Sequence, residues 1–397
     1  MQTFDFDSFE SRTPWHQNKW SPTVLKEQFG REDVLPAWVA DMDFKTAPAV
    51  QDAIINAAKN GMYGYTHVGA DVIEAYLSWQ RRRNHWNARA EWFRYTPGVV
   101  TAINLLLQAV TEEGDGVLIQ EPVYYPFGNS IRTQRRRVIS NLLRLRDGHY
   151  EIDFEDFEKK AALPDCRAFV LCNPHNPVGR VYTREELQRI GDICLKHHVF
   201  VIADEIHSDL IAPGHCHTVF ASLGDAYAEN CAVCHAPSKT FNLAGMSFSC
   251  IMIPDATRRK AFDSVYDRYC RAHPTFFAPV AAKAAWEHGE EWLEACLSYI
   301  WENEVYVRDF AAKTWGEQVW IAPLEGTYLL WMDFHKLEPD DRELDRRMIH
   351  GAGVALDGGT MFGLGGEGFQ RVNLATPRSI LQEIMERIAE EFPLHAN

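Results

Sequence analysis

No stretch of this chain approaches the ~18 consecutive apolar residues that a membrane-spanning helix needs. Its opening residues, Met1-Gln2-Thr3-Phe4-Asp5-Phe6-Asp7, lack the basic region and apolar core of an export signal. A cytoplasmic protein with no membrane partner is expected. Positive charge is also scarce: 40 Lys and Arg face 55 Asp and Glu, a formal net charge of -15, which disfavours nucleic acid and anionic membrane surfaces. The runs Arg81-Arg82-Arg83 and Arg135-Arg136-Arg137 read as solvated faces. Cys231 and Cys234 have Cys-x-x-Cys spacing but no second pair, and the nine cysteines are odd in number, so free buried thiols in a reducing compartment are expected and no metal centre. The His215-Cys216-His217 segment lacks a second ligand cluster and reads as a solvent loop. Gly363-Leu364-Gly365-Gly366-Glu367-Gly368 precedes a strand and opens no helix, so it lacks the setting of a dinucleotide fingerprint.

What is present is an ordinary globular composition, 46% hydrophobic and 24% charged over 397 residues, enough for two or more folding units. Three apolar runs end in polar residues. Leu171-Cys172 breaks into Asn173-Pro174-His175-Asn176-Pro177-Val178-Gly179. Val199-Phe200-Val201-Ile202-Ala203 ends in Asp204-Glu205-Ile206-His207. Cys231-Ala232-Val233-Cys234-His235 leads into Ala236-Pro237-Ser238-Lys239-Thr240-Phe241-Asn242. A lysine in so uncharged a setting is either snorkelling to water or held for its amine. Strands at Arg167 to Leu171 and Val199 to Ala203, with a helix from about Arg184 to His197 between them, predict an α/β fold with a mostly parallel sheet covered on both faces. Ligands in such sheets gather at the carboxyl ends of strands, where Asn176, Asp204 and Lys239 fall.

Other segments fit around this frame. Residues 1–45 read as an arm packing on the smaller domain, with Pro14, Pro22 and Pro36 discouraging long helices. A helix is expected from Ala47 to Lys59, followed by Tyr63-Gly64-Tyr65. Gly98-Val99-Val100 forms a turn opening a helix through Val110, whose free N–H groups and dipole suit an anion. Tyr124 follows the strand Gly116 to Gln120, set between Pro122 and Pro126. Strands are expected at Ser247 to Ile253, Gly326 to Met332 and Phe369 to Leu374, and helices over 255–313 with a break near His273-Pro274. A boundary near Glu287 divides a large domain, 46–287, from a small α+β domain, 288–397.

The ordered motifs Asn-Pro-His-Asn-Pro-x-Gly, Asp-Glu-Ile-His and Ser-Lys-Thr-Phe-Asn resemble those of the fold-type I pyridoxal-phosphate enzymes. The closest resemblance is to the C–S β-lyase branch related to class I and II aminotransferases, the cystathionine β-lyases of the MalY/PatB kind. It runs from Trp38 to Arg378. It implies pyridoxal 5'-phosphate as cofactor, with Lys239 holding its aldehyde and then shuttling the substrate Cα proton. Asp204 would pair with the ring nitrogen, Asn176 and His207 would serve the ring hydroxyl, and Tyr124 would stack on the ring. Ser238 and the Gly98, Val99 and Val100 backbone would hold the phosphate. The segment around Trp38 would line the mouth, and Tyr65 would reach the site of the neighbouring subunit in a homodimer. Arg371 is the candidate for the substrate α-carboxylate, because a guanidinium grips a carboxylate in bidentate fashion, with Arg378 as the alternative. The usual aminotransferase arginine eight residues after the lysine is replaced by Ser247 (239 + 8 = 247), which leaves the cationic phosphate partner unassigned and favours the lyase branch. The implied reaction is α,β-elimination of L-cystathionine or cysteine S-conjugates to a thiol, pyruvate and ammonia. Alternatives are transamination and an added role in binding a transcription factor.

Overall fold

Period-two alternation in the apolar runs decides the layers. In the computed structural model, which describes residues 4–269 and 273–394, these runs form the middle of a seven-stranded sheet. Its strands are β1 Phe93–Thr96, β2 Gly116–Glu121, β3 Arg137–Leu142, β4 Cys166–Cys172, β5 Phe200–Asp204, β6 Cys231–His235 and β7 Ser249–Met252, in the order β1-β7-β6-β5-β4-β2-β3. Neighbours from β6 through β3 are parallel, whereas β7 runs antiparallel to both β6 and β1. Phe169, Leu171, Val201 and Ala203 enter the core on one face, and Ala168, Val170, Phe200 and Ile202 enter the core on the other. Both faces are buried, so the strands carry near-continuous apolar residues rather than an apolar–polar alternation. Burying each Val or Ile side chain contributes roughly 1.5–3 kcal/mol.

Register aligns the strand ends. Cys172 pairs with Asp204, and Asp204 pairs with Cys234, so the polar residues after all three strands leave the sheet at one level. The helix Val99–Val110 packs on the face formed by Phe200 and Ile202 and points its first turn at that same edge. The helix Arg184–Lys196 is fixed at its start by a capping box: the Thr183 hydroxyl accepts from Glu186 N at 3.2 Å, and the Glu186 carboxylate accepts from Thr183 N at 2.8 Å.

After the helices Ala256–Tyr269 and Phe277–His288, the chain passes along Glu290–Thr314 to a second, four-stranded antiparallel sheet. Its strands are β8 Trp320–Ile321, β9 Leu329–Asp333, β10 Asp357–Gly358 and β11 Phe369–Asn373, in the order β8-β9-β11-β10. Two expected strands start late for a backbone reason. Thr327 (φ 71) and Ser247 (φ 53) lie in the left-handed region, so pairing begins at Leu329 and Ser249. The amino-terminal arm contains the helix Pro22–Phe29, and its Leu35-Pro36 pairs in parallel with Val354-Ala355. The expected helix at Ala47 to Lys59 is Pro48–Lys59.

Candidate active site

The aligned strand ends enclose a cavity of about 200 Å³. Its wall includes Gly98, Val99, Val100, Tyr124, Asn176, Asp204, His207, Ser238 and Lys239, together with Ala40 and Ser247. The sequence thus brings nine of its candidates to one place.

Lys239 lies in the short helix Pro237–Thr240 that follows β6, and its Nζ donates to the Ala40 carbonyl at 2.6 Å. Burial foremost lowers its amine to about 8, with Asp41 and Asp204 opposing and Arg371 assisting, so an appreciable neutral fraction exists near neutral pH. Asp204 ends β5 and is 4% exposed. Burial raises its carboxyl to about 7, against the Ile206 N–H at 3.1 Å and the nearby Lys239 charge. A carboxylate in that condition is stabilised by any cationic N–H donor that enters the cavity. His207 is buried and held neutral, first by burial and then by Lys239 and Arg371, and its Nδ1 has no partner among the described residues. An orphaned buried donor site of this kind calls for a ligand.

Asn176 accepts from Arg371 Nη1 at 2.9 Å through Oδ1, which leaves its amide N–H groups as donors, and its carbonyl accepts from Tyr124 N at 3.0 Å. The Tyr124 ring meets Phe127 edge-on, with centroids 5.7 Å apart, and burial raises its hydroxyl to about 12, keeping it neutral. At the other end, the first turn of Val99–Val110 offers unpaired N–H groups, and a Cβ added to Gly98 would meet nothing within 4 Å, so a bulky anion has room. Among the described residues, Lys239 is the one Lys or Arg in the cavity wall, consistent with Ser247 at the position of the usual arginine.

Four candidates, Trp38, Arg371, Tyr65 and Arg378, are not part of this cavity wall. The Trp38 indole packs edge-on against Phe29 and donates to the Lys19 carbonyl at 3.4 Å, away from the cavity; only its backbone carbonyl reaches the site, accepting from Arg371 Nη2 at 2.8 Å. Arg371 stands behind the cavity wall, 3% exposed. Tyr65 is 99% exposed, near His273 and outside the cavity of its own chain. Arg378 is elsewhere, donating to Asn303 Oδ1 at 2.6 Å. The histidine loop also needs correction: His215 and Cys216 are exposed, but His217 is buried. His217 and His235 both donate through Nε2 to Glu205 Oε2, at 3.0 and 3.1 Å, while Phe220 N donates to Oε1 at 2.8 Å. These three groups lie close enough to surround a cation. The hydrogen bonds, with the Tyr76 hydroxyl on His235 Nδ1 at 2.7 Å, already satisfy Glu205, and the histidines lower its carboxyl to about 2 despite burial.

Sequence reasoning missed Ala40 and Tyr328. The Ala40 carbonyl accepts from both Lys239 and the Tyr328 hydroxyl, the latter at 2.8 Å. A backbone carbonyl carries no side-chain signal. The arm holding it is clamped by Asn242, which donates to the carbonyls of Met42 and Phe44 at 2.9 Å each and accepts from Met42 N at 3.1 Å. It is also tied by Asp43, which takes Lys19 at 2.7 Å, Arg12 at 2.8 Å and the Trp20 indole at 2.7 Å.

A buried lysine and an acid at aligned ends of a mostly parallel sheet, with an anion cradle at a helix start and a neutral histidine lacking a partner, fit pyridoxal 5'-phosphate. The molecule is a fold-type I pyridoxal-phosphate enzyme. The chain belongs to the family described as aminotransferase class I and II, whose profile matches residues 39–388. Within that family it is 41% identical to cystathionine beta-lyase PatB of Bacillus subtilis over 384 residues, covering 97% of this chain and 98% of that protein. Cystalysin from Treponema denticola, whose crystal structure contains a pyridoxal 5'-phosphate cofactor, superposes with a TM-score of 0.95 at 37% identity, covering 98% of this chain and 99% of that one. The pyridoxal-phosphate-bound C-S lyase from Staphylococcus hominis superposes with a TM-score of 0.90 at 30% identity, covering 98% of each chain.

Proposed function

We propose that this protein is a carbon–sulfur β-lyase that cleaves L-cystathionine or cysteine S-conjugates to a thiol, pyruvate and ammonia. The observation that carries the reading is Lys239 and Asp204 sharing one buried cavity in a chain whose relatives are C–S lyases. Pyridoxal phosphate, when bound, supplies an electron sink for negative charge at the substrate Cα. The chain supplies the rest. The Lys239 amine, lowered towards neutrality, would hold the cofactor and would take the Cα proton on Nζ. Asp204 would keep a proton on the ring nitrogen, Asn176 and His207 would serve the ring hydroxyl, and Tyr124 would cover one ring face. Val99 and Val100 N–H with the Ser238 hydroxyl would hold the phosphate. Arg371 meets the α-carboxylate through its guanidinium.

Tyr65, together with Met62 and Tyr63, forms an exposed aromatic and apolar tip, 99%, 70% and 58% exposed, which supports a homodimer in which Tyr65 completes the partner's site. All eight cysteines among the described residues are free, which supports a reducing, cytoplasmic setting; no helix among those residues is long and apolar enough to cross a membrane. Residues 1–45, 46–287 and 288–397 serve as arm, cofactor-binding domain and small domain. Incubation with cystathionine and no keto acid should release thiol and pyruvate. Product formation only after a keto acid is added would sink the lyase reading in favour of transamination.

A further inference from the structure

The partner of Arg371 within the small sheet is chemically unexpected for a carboxylate-binding arginine. Asp357 on β10 and Arg371 on β11 are direct cross-strand neighbours, with side chains 6% and 3% exposed. Arg371 Nη2 donates to the Asp357 carboxylate as well as to the Trp38 carbonyl, and Nη1 donates to Asn176 Oδ1. The guanidinium carbon lies 4.9 Å from the Phe362 ring centroid, and Nε is buried with no partner among the described residues. The arginine is therefore held from several sides, with a donor to spare, and its charge is matched before any substrate arrives.

We propose that Asp357 is a specificity-determining residue, which neutralises Arg371 in advance so that an incoming α-carboxylate is recognised by directed N–H donation rather than by net charge. This rests on Arg371 being the α-carboxylate partner. In a site of low effective dielectric, attraction of a carboxylate to an unpaired guanidinium is strong and undiscriminating, whereas a guanidinium–carboxylate pair attracts it only at short range. Simple carboxylates then bind weakly, and occupancy depends on further contacts made by the amino group and the thioether. Burial raises the Asp357 carboxyl and the arginine beside it opposes this.

The test compares holoenzyme and the Asp357→Asn variant, with S-methyl-L-cysteine, its carboxamide, and acetate as a non-reacting probe. The variant should lower KM for the acid by about tenfold, with kcat moving much less, and should tighten acetate binding in a calorimetric titration by a similar factor. KM for the carboxamide should stay near the wild-type value. A merely structural role would weaken all three together. An unchanged or raised KM for the acid, with acetate binding no tighter, overturns the proposal. If Asp357→Asn does not fold, Asp357→Ser is read in the same way. Arg371→Gln separates the two levels: if it leaves the preference for acid over carboxamide intact, the assignment of Arg371 itself fails, whatever Asp357 does.

Discussion

At the scale of single residues, the site works through groups moved away from their ordinary ionisation. If Lys239 is both the attachment point and the proton carrier, as proposed, Lys239→Ala should lower turnover by at least about a thousandfold, and the absorbance of covalently held cofactor should be absent from the purified protein. Retention of that absorbance would discard Lys239. Asp204 permits a sharper test because its raised carboxyl, about 7 against an ordinary 3.8, opposes folding of the cofactor-free protein. The sign follows from linkage: the destabilisation is fully present above about pH 7, shrinks as pH falls through that value, and is gone below 3.8. Cofactor-free Asp204→Asn should therefore be more stable than wild type at pH 8, on the order of a few kcal/mol, with a smaller advantage at pH 5, although the holoenzyme loses activity. Denaturant melts at the two pH values check this, and an advantage that grows on acidification would refute it. Some residues were legible in advance because motif order fixed them; Asn176, Asp204 and Lys239 follow strands whose apolar runs are plain. Trp38 and Asp357 were not, since neither the direction of an indole nor a cross-strand ion pair leaves a periodicity in the sequence.

At the scale of elements, β4, β5 and β6 could be read from the sequence because burial on both faces demands unbroken apolar runs, and the helix Arg184–Lys196 because its capping box is local. The arm was harder. Its Lys19 is fully buried against Asp43, and nothing in the sequence around either residue announces a partner in the other segment. Arg12 and Lys19 hold Asp43 below the usual carboxylate range although burial opposes them. Asp43→Asn would leave two cations in a dry setting and should destabilise the protein by about 3–5 kcal/mol. Because the same segment carries the Ala40 and Trp38 carbonyls, KM should rise as well. A melt shifted by less than about 1 kcal/mol would show that the arm is held by its apolar contacts instead.

At the scale of the whole molecule, the fully exposed Tyr65 and the cavity that it does not reach belong to different copies if the active enzyme is a dimer. Lys239→Ala and Tyr65→Ala subunits, each weak alone, should then regain activity when unfolded and refolded together, since a mixed pair contains one site with both residues intact. Activity that stays at the level of the separate variants would confine each site to one chain. The connection of the two ends of the sequence also has a consequence for synthesis. Asn373 grips the carbonyl of Asp41, 332 residues earlier in the chain, and Leu35-Pro36 lies beside Val354-Ala355. A ribosome adding ~5–20 residues per second needs roughly a quarter of a minute to a minute to supply those later residues. Throughout that interval the nascent arm lacks its partners in the small domain, so a transcript broken before the codon for Val354 yields a polypeptide that holds Asp204, Lys239 and Asn242 but lacks the strand beside which Leu35-Pro36 rests.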